Sequence, residues 1–466
     1  MKFKSLLLIL LFAFTGLLNA QKKVKYEVGL SSTIAAKGEV PFWLHSNKRG
    51  LVPNKSYVMS DFSLGMDFSK KPKTAVDFMW QASAVAYTGN ESKLILDNLY
   101  LSAKWKIFQF SLGQKADAIA FDGLSSSNGN MLYSNNARSY PKYEISVPEW
   151  TAIPFTKGII SFKGLLSDGI TTDNRYIDNA LVHHKNLFVR LFKDNKFSIS
   201  GGIEQYAMWA GTHPISGKIS HSLDKYFNVF TGSGDDDATF TNDTYRLGNH
   251  IGSYHLNAYY NTKQFNLQAY YRSIFEDGSG RKSENAPDGL YGLYYQNKKG
   301  ENPFIQSALV EFYHTTDQSG RFRGEFEGKH YRGNDNYFNH KEYESGWTHY
   351  GKTIGSPLFT NREEYGHAVV INNRFKAIHL GVGGFIASVI PYKSYFTFSK
   401  NYGTNANPLT SDDSGLNQFS GLVELRIPSK KIPFHIDLAC AVDQGDLLKD
   451  NIGFYIRLSK AGLLNK

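Results

Sequence analysis

Residues 434–459 read FHIDLACAVDQGDLLKDNIGFYIRLS, and their alternation decides the fold. Phe434, Ile436, Leu438, Cys440 and Val442 alternate with His435, Asp437, Ala439, Ala441 and Asp443. After a polar turn, Ile452, Phe454, Ile456 and Leu458 alternate with Gly453, Tyr455, Arg457 and Ser459. Successive side chains of a strand point to opposite faces, so each segment has one apolar and one polar face. The other end of the chain says where such strands would sit. Met1–Ala20 reads as an export signal, with basic Lys2 and Lys4, a largely apolar Ser5–Leu18 and a small residue at Ala20. An exported chain that ends in two-faced strands points to an outer-membrane barrel, apolar towards lipid and polar within.

The same alternation recurs inward from the C-terminus. Phe419, Val423, Leu425 and Ile427 share a face, as do Val76, Phe78, Trp80, Ala82 and Ala84. Tyr254, Leu256, Ala258 and Tyr260 precede a turn at Asn261–Lys263, and Phe265, Leu267, Ala269 and Tyr271 follow it, which predicts a hairpin with matched faces. Further strands are expected near 58–68, 94–105, 107–113, 158–166, 187–192, 197–208, 305–314, 321–331 and 377–385. Helical periodicity is almost absent, and residues 177–193 fit helix or strand equally. Strong and weak strands together number roughly 16–18, and about 18 fit the mature length at roughly 25 residues for each strand with its connection.

The connections are unequal. Short turns contrast with long polar stretches at 115–156, 210–249, 276–299, 314–365 and 401–417. Outer-membrane barrels pair short periplasmic turns with long outer loops, and here the loops are long enough to fold into the lumen. The expectation is an all-β transmembrane antiparallel barrel with outer loops partly filling its lumen. It has two parts, a signal peptide at 1–20 and one barrel domain at 21–466.

Composition agrees without deciding. No apolar run after the signal reaches the roughly 20 residues of a membrane helix, but a barrel strand needs only about 9–11 alternating residues. The single cysteine, Cys440, excludes an internal disulfide, and it falls on an apolar strand face. The formal charge of +10 comes without a long Lys/Arg run, which argues against nucleic acid as a partner.

Chemistry concentrates in three segments. Asn336–Arg362 interleaves Tyr337, Phe338, Tyr343, Trp347 and Tyr350 with Asn339, His340, His349, Lys352 and Arg362. Rigid aromatic faces beside amides and imidazoles suit a pyranose, whose ring stacks while its hydroxyls hydrogen-bond. The same residues would equally build an interface girdle or a plug for the lumen. Pro41–Val52 places Trp43, His45, Asn47 and Arg49 at alternate positions, and Leu132–Lys142 is a polar loop carrying Arg138. A periplasmic entry segment and an inward-folded loop are the plain alternatives for these two. The expected polysaccharide-binding set is Trp347, Tyr350, His349, Asn339 and Arg362, with Trp43 and Arg49 as a second group.

At these three segments the sequence resembles the Wzi capsule-assembly family of outer-membrane proteins. The resemblance rests on W-x-H-x-N-x-x-G at Trp43–Gly50, LYSNNAR at Leu132–Arg138, and above all SGWTHYGKTIGSPLFT within Asn336–Thr360. It implies a barrel of about 18 strands, a lectin role at the cell surface, and assembly or retention of capsular polysaccharide. Outer-membrane lipid and capsule-export proteins are the further partners it implies. Some family members carry a periplasmic helical bundle, for which this sequence shows no convincing helices.

Enzyme signals are poor. Glu363-Glu364 and Asp235-Asp236-Asp237 are adjacent acids without a readable catalytic spacing. Asp235–Asp237 could bind Ca²⁺, although a solvated loop fits as well. His183 and His184 would face opposite ways on a strand and cannot chelate one metal. No H-E-x-x-H, G-x-S-x-G, Walker or zinc spacing occurs. The reading is a non-enzymatic outer-membrane protein with no metal and no cofactor; the alternative is a porin or solute channel.

Overall fold

The computed structural model describes residues 23–70, 75–193, 195–233, 247–300, 302–320, 323–326, 329–428 and 432–464. The expected signal peptide and Asp235–Asp237 lie outside the described residues. Eighteen long strands make the barrel. They are β1 (Lys25–Ala35), β2 (Tyr57–Met66), β3 (Val76–Gly89), β4 (Lys93–Trp105), β5 (Phe108–Gln114) and β6 (Pro141–Ala152). Next come β7 (Ile160–Ile170), β8 (Leu181–Leu191), β9 (Phe197–Trp209), β10 (Asn249–Asn261), β11 (Phe265–Arg272) and β12 (Gly289–Asn297). The last six are β13 (Ser307–His314), β14 (Arg374–Ile386), β15 (Ile390–Gly403), β16 (Leu416–Ile427), β17 (His435–Gly445) and β18 (Asn451–Leu463).

Each strand pairs antiparallel with its neighbours in the chain, even where 210–248 or 315–373 intervenes. The seam closes between β18 and β1, in register from Lys25↔Leu463 to Ala35↔Gly453. Closure leaves no unpaired edge, which the lipid environment requires. Alternation then sorts the side chains. Phe454, Ile456 and Leu458 are exposed on the outer wall, while Arg457 points inward and bonds Glu27 at 2.8 Å and Asp61 at 2.7 Å. On β17, Asp437, Ala439, Ala441 and Asp443 are buried, as an inward polar and small-residue face predicts.

Aromatic side chains gather near both rims of the outer wall. Trp105–Phe108, Tyr260–Phe265 and Phe265–Tyr295 meet beside the short turns, with ring centres 6.3, 6.1 and 5.8 Å apart. Tyr271–Tyr291 and Tyr291–Phe312 meet near the opposite end, at 4.7 and 6.2 Å. Such belts mark the two membrane interfaces.

All the long connections leave one end. Residues 36–56, 115–140, 210–248, 273–288, 315–373 and 404–415 emerge there, while 67–75, 106–107, 153–159, 192–196, 262–264, 298–306, 387–389 and 428–434 turn at the other. By the usual asymmetry the first end is the outer one. The segment around Trp43 is therefore an outer loop between β1 and β2, and not a periplasmic entry.

Three further expectations change. β6 and β12 lie inside stretches read as polar loop, because lumen-facing Lys142, Glu144 and Gln296 hide the apolar half of each pattern. Residues 321–331 are not a barrel strand; Arg323–Phe326 pairs with Lys329–Arg332 in a small hairpin within the outer connection 315–373. The ambiguous stretch 177–193 supplies β8, and its two histidines separate by face. His183 meets Asp168 at 2.8 Å and His184 meets lumen-facing Glu204 at 3.0 Å.

The hydrophobic core sits within the lumen. Loops 36–56, 115–140 and 315–373 fold inward and bury Trp43, Leu124, Leu132, Tyr337, Phe338, Trp347 and Phe359 against wall residues such as Tyr206, Leu309, Tyr313 and Phe375. Buried polar anchors fix the loops to the wall. Glu311 of β13 accepts from Ser125 at 2.6 Å, from the Ser126 amide at 2.9 Å and from Tyr270 at 2.7 Å. The 115–140 loop reaches deepest, and its Asp122 accepts from Tyr294 at 2.7 Å near the far end of β12.

Candidate functional site

The inward packing of the loops leaves a polar cleft of about 890 Å³ at the outer mouth. Four connections build it. Glu276 and Asp277 come from 273–288, and Asn336, Asn339, His340, Arg362 and Tyr365 come from 315–373. Gly248 ends 210–248, and Asn405 and Asn407 come from 404–415.

Local sequence explains its floor and its rim. Asn339 donates to the Val370 carbonyl at 2.8 Å and accepts from the Val370 amide at 3.3 Å, tying one wall to the hairpin Thr360–Glu364/His367–Asn372. Asn336 accepts from Asn339 at 3.1 Å and from Asn373 at 2.6 Å. The hairpin turns through Tyr365 and Gly366, with φ of 52° and 82°. Two successive left-handed residues make the tight turn whose twist matches its strands. That turn projects Tyr365 into solvent at the cleft rim, 95% exposed.

The charge of the cleft is mixed. Glu276, Asp277, Asp335, Glu344 and Glu364 face Lys341 and Arg362. Arg362 is ion-paired to Glu364 within the hairpin. Glu276 accepts the Phe338 amide at 2.6 Å. Burial, with Asp335 and Asp277 beside it, pushes its carboxyl well above the usual carboxylate range. His340 is held down to about 4 by burial, and its Nδ1 accepts from the Glu342 and Tyr343 amides at 3.2 and 3.3 Å. An Arg362 already matched by Glu364 is poorly placed to select a uronic acid, so the cleft itself suits hydroxyls and amides.

A second outer patch holds the cations. Arg138 stacks on the Tyr350 ring at 3.8 Å and donates to the Gly50 carbonyl at 3.3 Å. Arg49 makes two bonds of 2.9 Å to Asp97, a residue at the β3–β4 register shift. Tyr350 is 36% exposed and donates to the Thr172 carbonyl at 2.9 Å.

The expected binding set thus divides three ways. Asn339 and Arg362 line the cleft. Tyr350 and Arg49 lie at the cation patch. Trp347, His349 and Trp43 are buried in the lumen core and present no face to solvent. Trp347 donates to the Leu132 carbonyl at 2.6 Å, and His349 bonds the Arg138 carbonyl at 2.7 Å through Nδ1. Trp43 packs on His379 and Tyr395 at 5.3 and 5.5 Å. The plug alternative describes the position of Trp347 and His349, and an indole such as Trp347 that gains full burial and a backbone acceptor is satisfied without a ligand. Trp43, whose alternative reading is a periplasmic entry, packs in the same core. Tyr365, Asp277 and Asn405 were not singled out from sequence. The signal for Tyr365 was the Tyr-Gly turn between Arg362–Glu364 and the alternating residues that follow.

Comparison with known proteins places this architecture. The model of the family described as capsule assembly protein Wzi matches residues 23–376, and the chain belongs to that family. Its fold is similar to that of Wzi from Escherichia coli, with a TM-score of 0.57 at 10% identity over 96% of this chain and 87% of that one. That protein is described as an outer-membrane, carbohydrate-binding β-barrel involved in group 1 capsule assembly. Pseudomonas aeruginosa OpdO aligns with a TM-score of 0.49 at 11% identity, covering 95% of this chain and 97% of its own. No curated protein sequence matches.

Proposed function

We propose that this member of the capsule-assembly family binds polysaccharide at its outer mouth and holds or assembles a capsule there without chemical turnover. The observation that carries this reading is the 890 Å³ polar cleft, rimmed by the exposed Tyr365 and set above a lumen packed with its own loops. Tyr365 offers a stacking face, and Asn339, Asn405 and Asp277 offer hydrogen bonds to hydroxyls. A separate patch at the same outer end, Arg138 stacked on Tyr350, supplies a cation. One such site is weak, but a polymer meets many barrels at once, so avidity exceeds single-site affinity. Outer-membrane lipid surrounds the wall in this reading, capsule-export proteins are its expected partners, and Met1–Ala20 is removed on export.

The test is Tyr365→Ala together with Asn339→Ala. Polysaccharide should appear in the medium while heat-modifiable gel mobility stays normal. Full retention of capsule by the correctly assembled variant refutes the assignment. The inward-folded loops speak against a porin, and large ohmic conductance from purified protein in planar bilayers would restore that alternative. Release of reducing sugar from purified capsule, abolished in Glu363→Ala/Glu364→Ala, would overturn the non-enzymatic reading.

A further inference from the structure

The lipid-facing wall carries a groove of about 510 Å³ across β13 to β17, at the end from which the long loops leave. Its apolar lining is Phe312, Ile378, Phe398 and Phe419, register partners on four successive strands. Phe312 belongs to the aromatic belt at that end, and Phe398 meets Phe419 with ring centres 4.7 Å apart. Phe312, Ile378 and Phe398 are exposed, which places the groove on the outside of the barrel at the membrane interface.

Lys376 and Lys400 line the same groove on its loop side. Alternation gives them the outward face of Ile378 and Phe398, two residues and about 7 Å further along each strand towards the outer end. Both lysines are exposed, and they are direct register partners. Like charges directly opposite on one face destabilise a sheet. Neighbouring cations have acids of their own. Arg374 bonds Asp413 at 3.0 and 3.1 Å, and His314, the β13 partner of Lys376, meets Asp288 at 2.8 Å. Among the described residues no acid lines the groove, and none lies within ion-pair distance of either lysine. The Lys400 ammonium stands 5.9 Å from the Tyr402 ring centre. Asn417, the β16 partner of Lys400, and Gln444 add exposed amides to the lining. An apolar furrow in the lipid zone with two unmatched cations above it reproduces the order of an anionic lipid, tail below and charged head above. A free anion would have no use for the furrow, and a neutral lipid none for the lysines.

We propose that Lys376, Lys400 and the groove beneath them hold a phosphorylated glycolipid of the outer leaflet. The phosphate sits between the two ammonium groups, which relieves their mutual repulsion. One acyl chain runs along Ile378, Phe398 and Phe419, and the amides of Asn417 and Gln444 bond sugar hydroxyls. The site is on the outside of the wall, apart from the cleft, and its test does not depend on capsule retention.

The experiment is native mass spectrometry of the full mature barrel in detergent micelles with three lipids: diphosphoryl lipid A, the same lipid A stripped of phosphate, and dioleoylphosphatidylglycerol. Diphosphoryl lipid A should be retained about tenfold better than the dephosphorylated form. Lys376→Gln/Lys400→Gln should lower that retention about tenfold, and Lys376→Arg/Lys400→Arg should keep it. Phe398→Ala should weaken it severalfold, which a purely ionic contact would not show. If the double glutamine variant loses heat-modifiable mobility, Lys400→Gln alone serves, with a smaller loss expected in the same direction. Unchanged retention in a folded glutamine variant or in Phe398→Ala overturns the proposal, as does equal retention of phosphatidylglycerol. Loss in Arg138→Gln instead would locate the phosphate at the outer mouth and also overturn it.

Discussion

Trp347 and Tyr365 belong to one connection between β13 and β14, yet one is wholly buried and the other 95% exposed. The stretch around Trp347 carries five aromatics from Tyr337 to Tyr350, and it forms the floor of the plug. The stretch around Tyr365 carries a single ring on a tight turn, and it forms the rim of the cleft. Aromatic density in an outer loop here marks packing, whereas isolation on a turn marks display. The physical reason is that a loop able to enter a lumen needs a core of its own, and large rings supply the most buried area per residue.

The sharpest way to break this contrast is Trp347→Ala. Loss of a fully buried indole and its bond to Leu132 should cost about 3–5 kcal/mol. The variant should lower the midpoint of denaturant unfolding and any capsule defect should track misassembly. A normally folded Trp347→Ala barrel that sheds capsule would return Trp347 to the binding set.

A comparable but wall-borne loss should follow Ile456→Arg, which places a charge on the lipid face at about 2–4 kcal/mol if it lies near mid-membrane. Cysteine scanning of 454–458 with an aqueous thiol reagent checks the faces. Uniform labelling of odd and even positions would refute the alternation.

The plug should also respond to acid. Burial holds His349 down to about 4, whereas an unfolded histidine titrates near 6.5. As pH falls through 6.5 the unfolded chain takes up a proton that the folded plug excludes. Stability should therefore fall between about pH 6.5 and 4 and level off below, by about 3 kcal/mol from this group. Thermal unfolding of wild type and His349→Asn at pH 7 and pH 5 tests it, and an equal shift in both would assign the effect elsewhere.

The smallest stability effect should come from Tyr365→Ala. An exposed side chain off the packed core contributes within about 0.5 kcal/mol. Its consequence should be confined to polysaccharide retention, and a large fall in unfolding midpoint would show that the turn, and not the ring, matters. Binding at the cleft should depend only weakly on salt, since Arg362 is already paired. A steep salt dependence lost in Arg138→Gln would shift the main contact to the cation patch.

Much of the barrel was legible before any coordinates. Period-two alternation near the C-terminus, read with the expected export signal and the unequal loops, put lipid on one side and lumen on the other, so the faces of β17 and β18 followed from sequence. Strands whose inward residues are long and polar, such as β6 with Lys142 and Glu144, were hidden, because their outward apolar positions no longer stood out. Of the candidate cleft, sequence singled out one connection, 315–373, and two lining residues, Asn339 and Arg362. It could not separate Tyr365 from Trp347. Alternation within a strand is a local consequence of backbone geometry, so the residues themselves determine it. Whether a loop residue faces the cleft or the plug depends on which distant segment meets it, as Leu132 meets Trp347 and Val370 meets Asn339, and only the closed barrel brings those segments together.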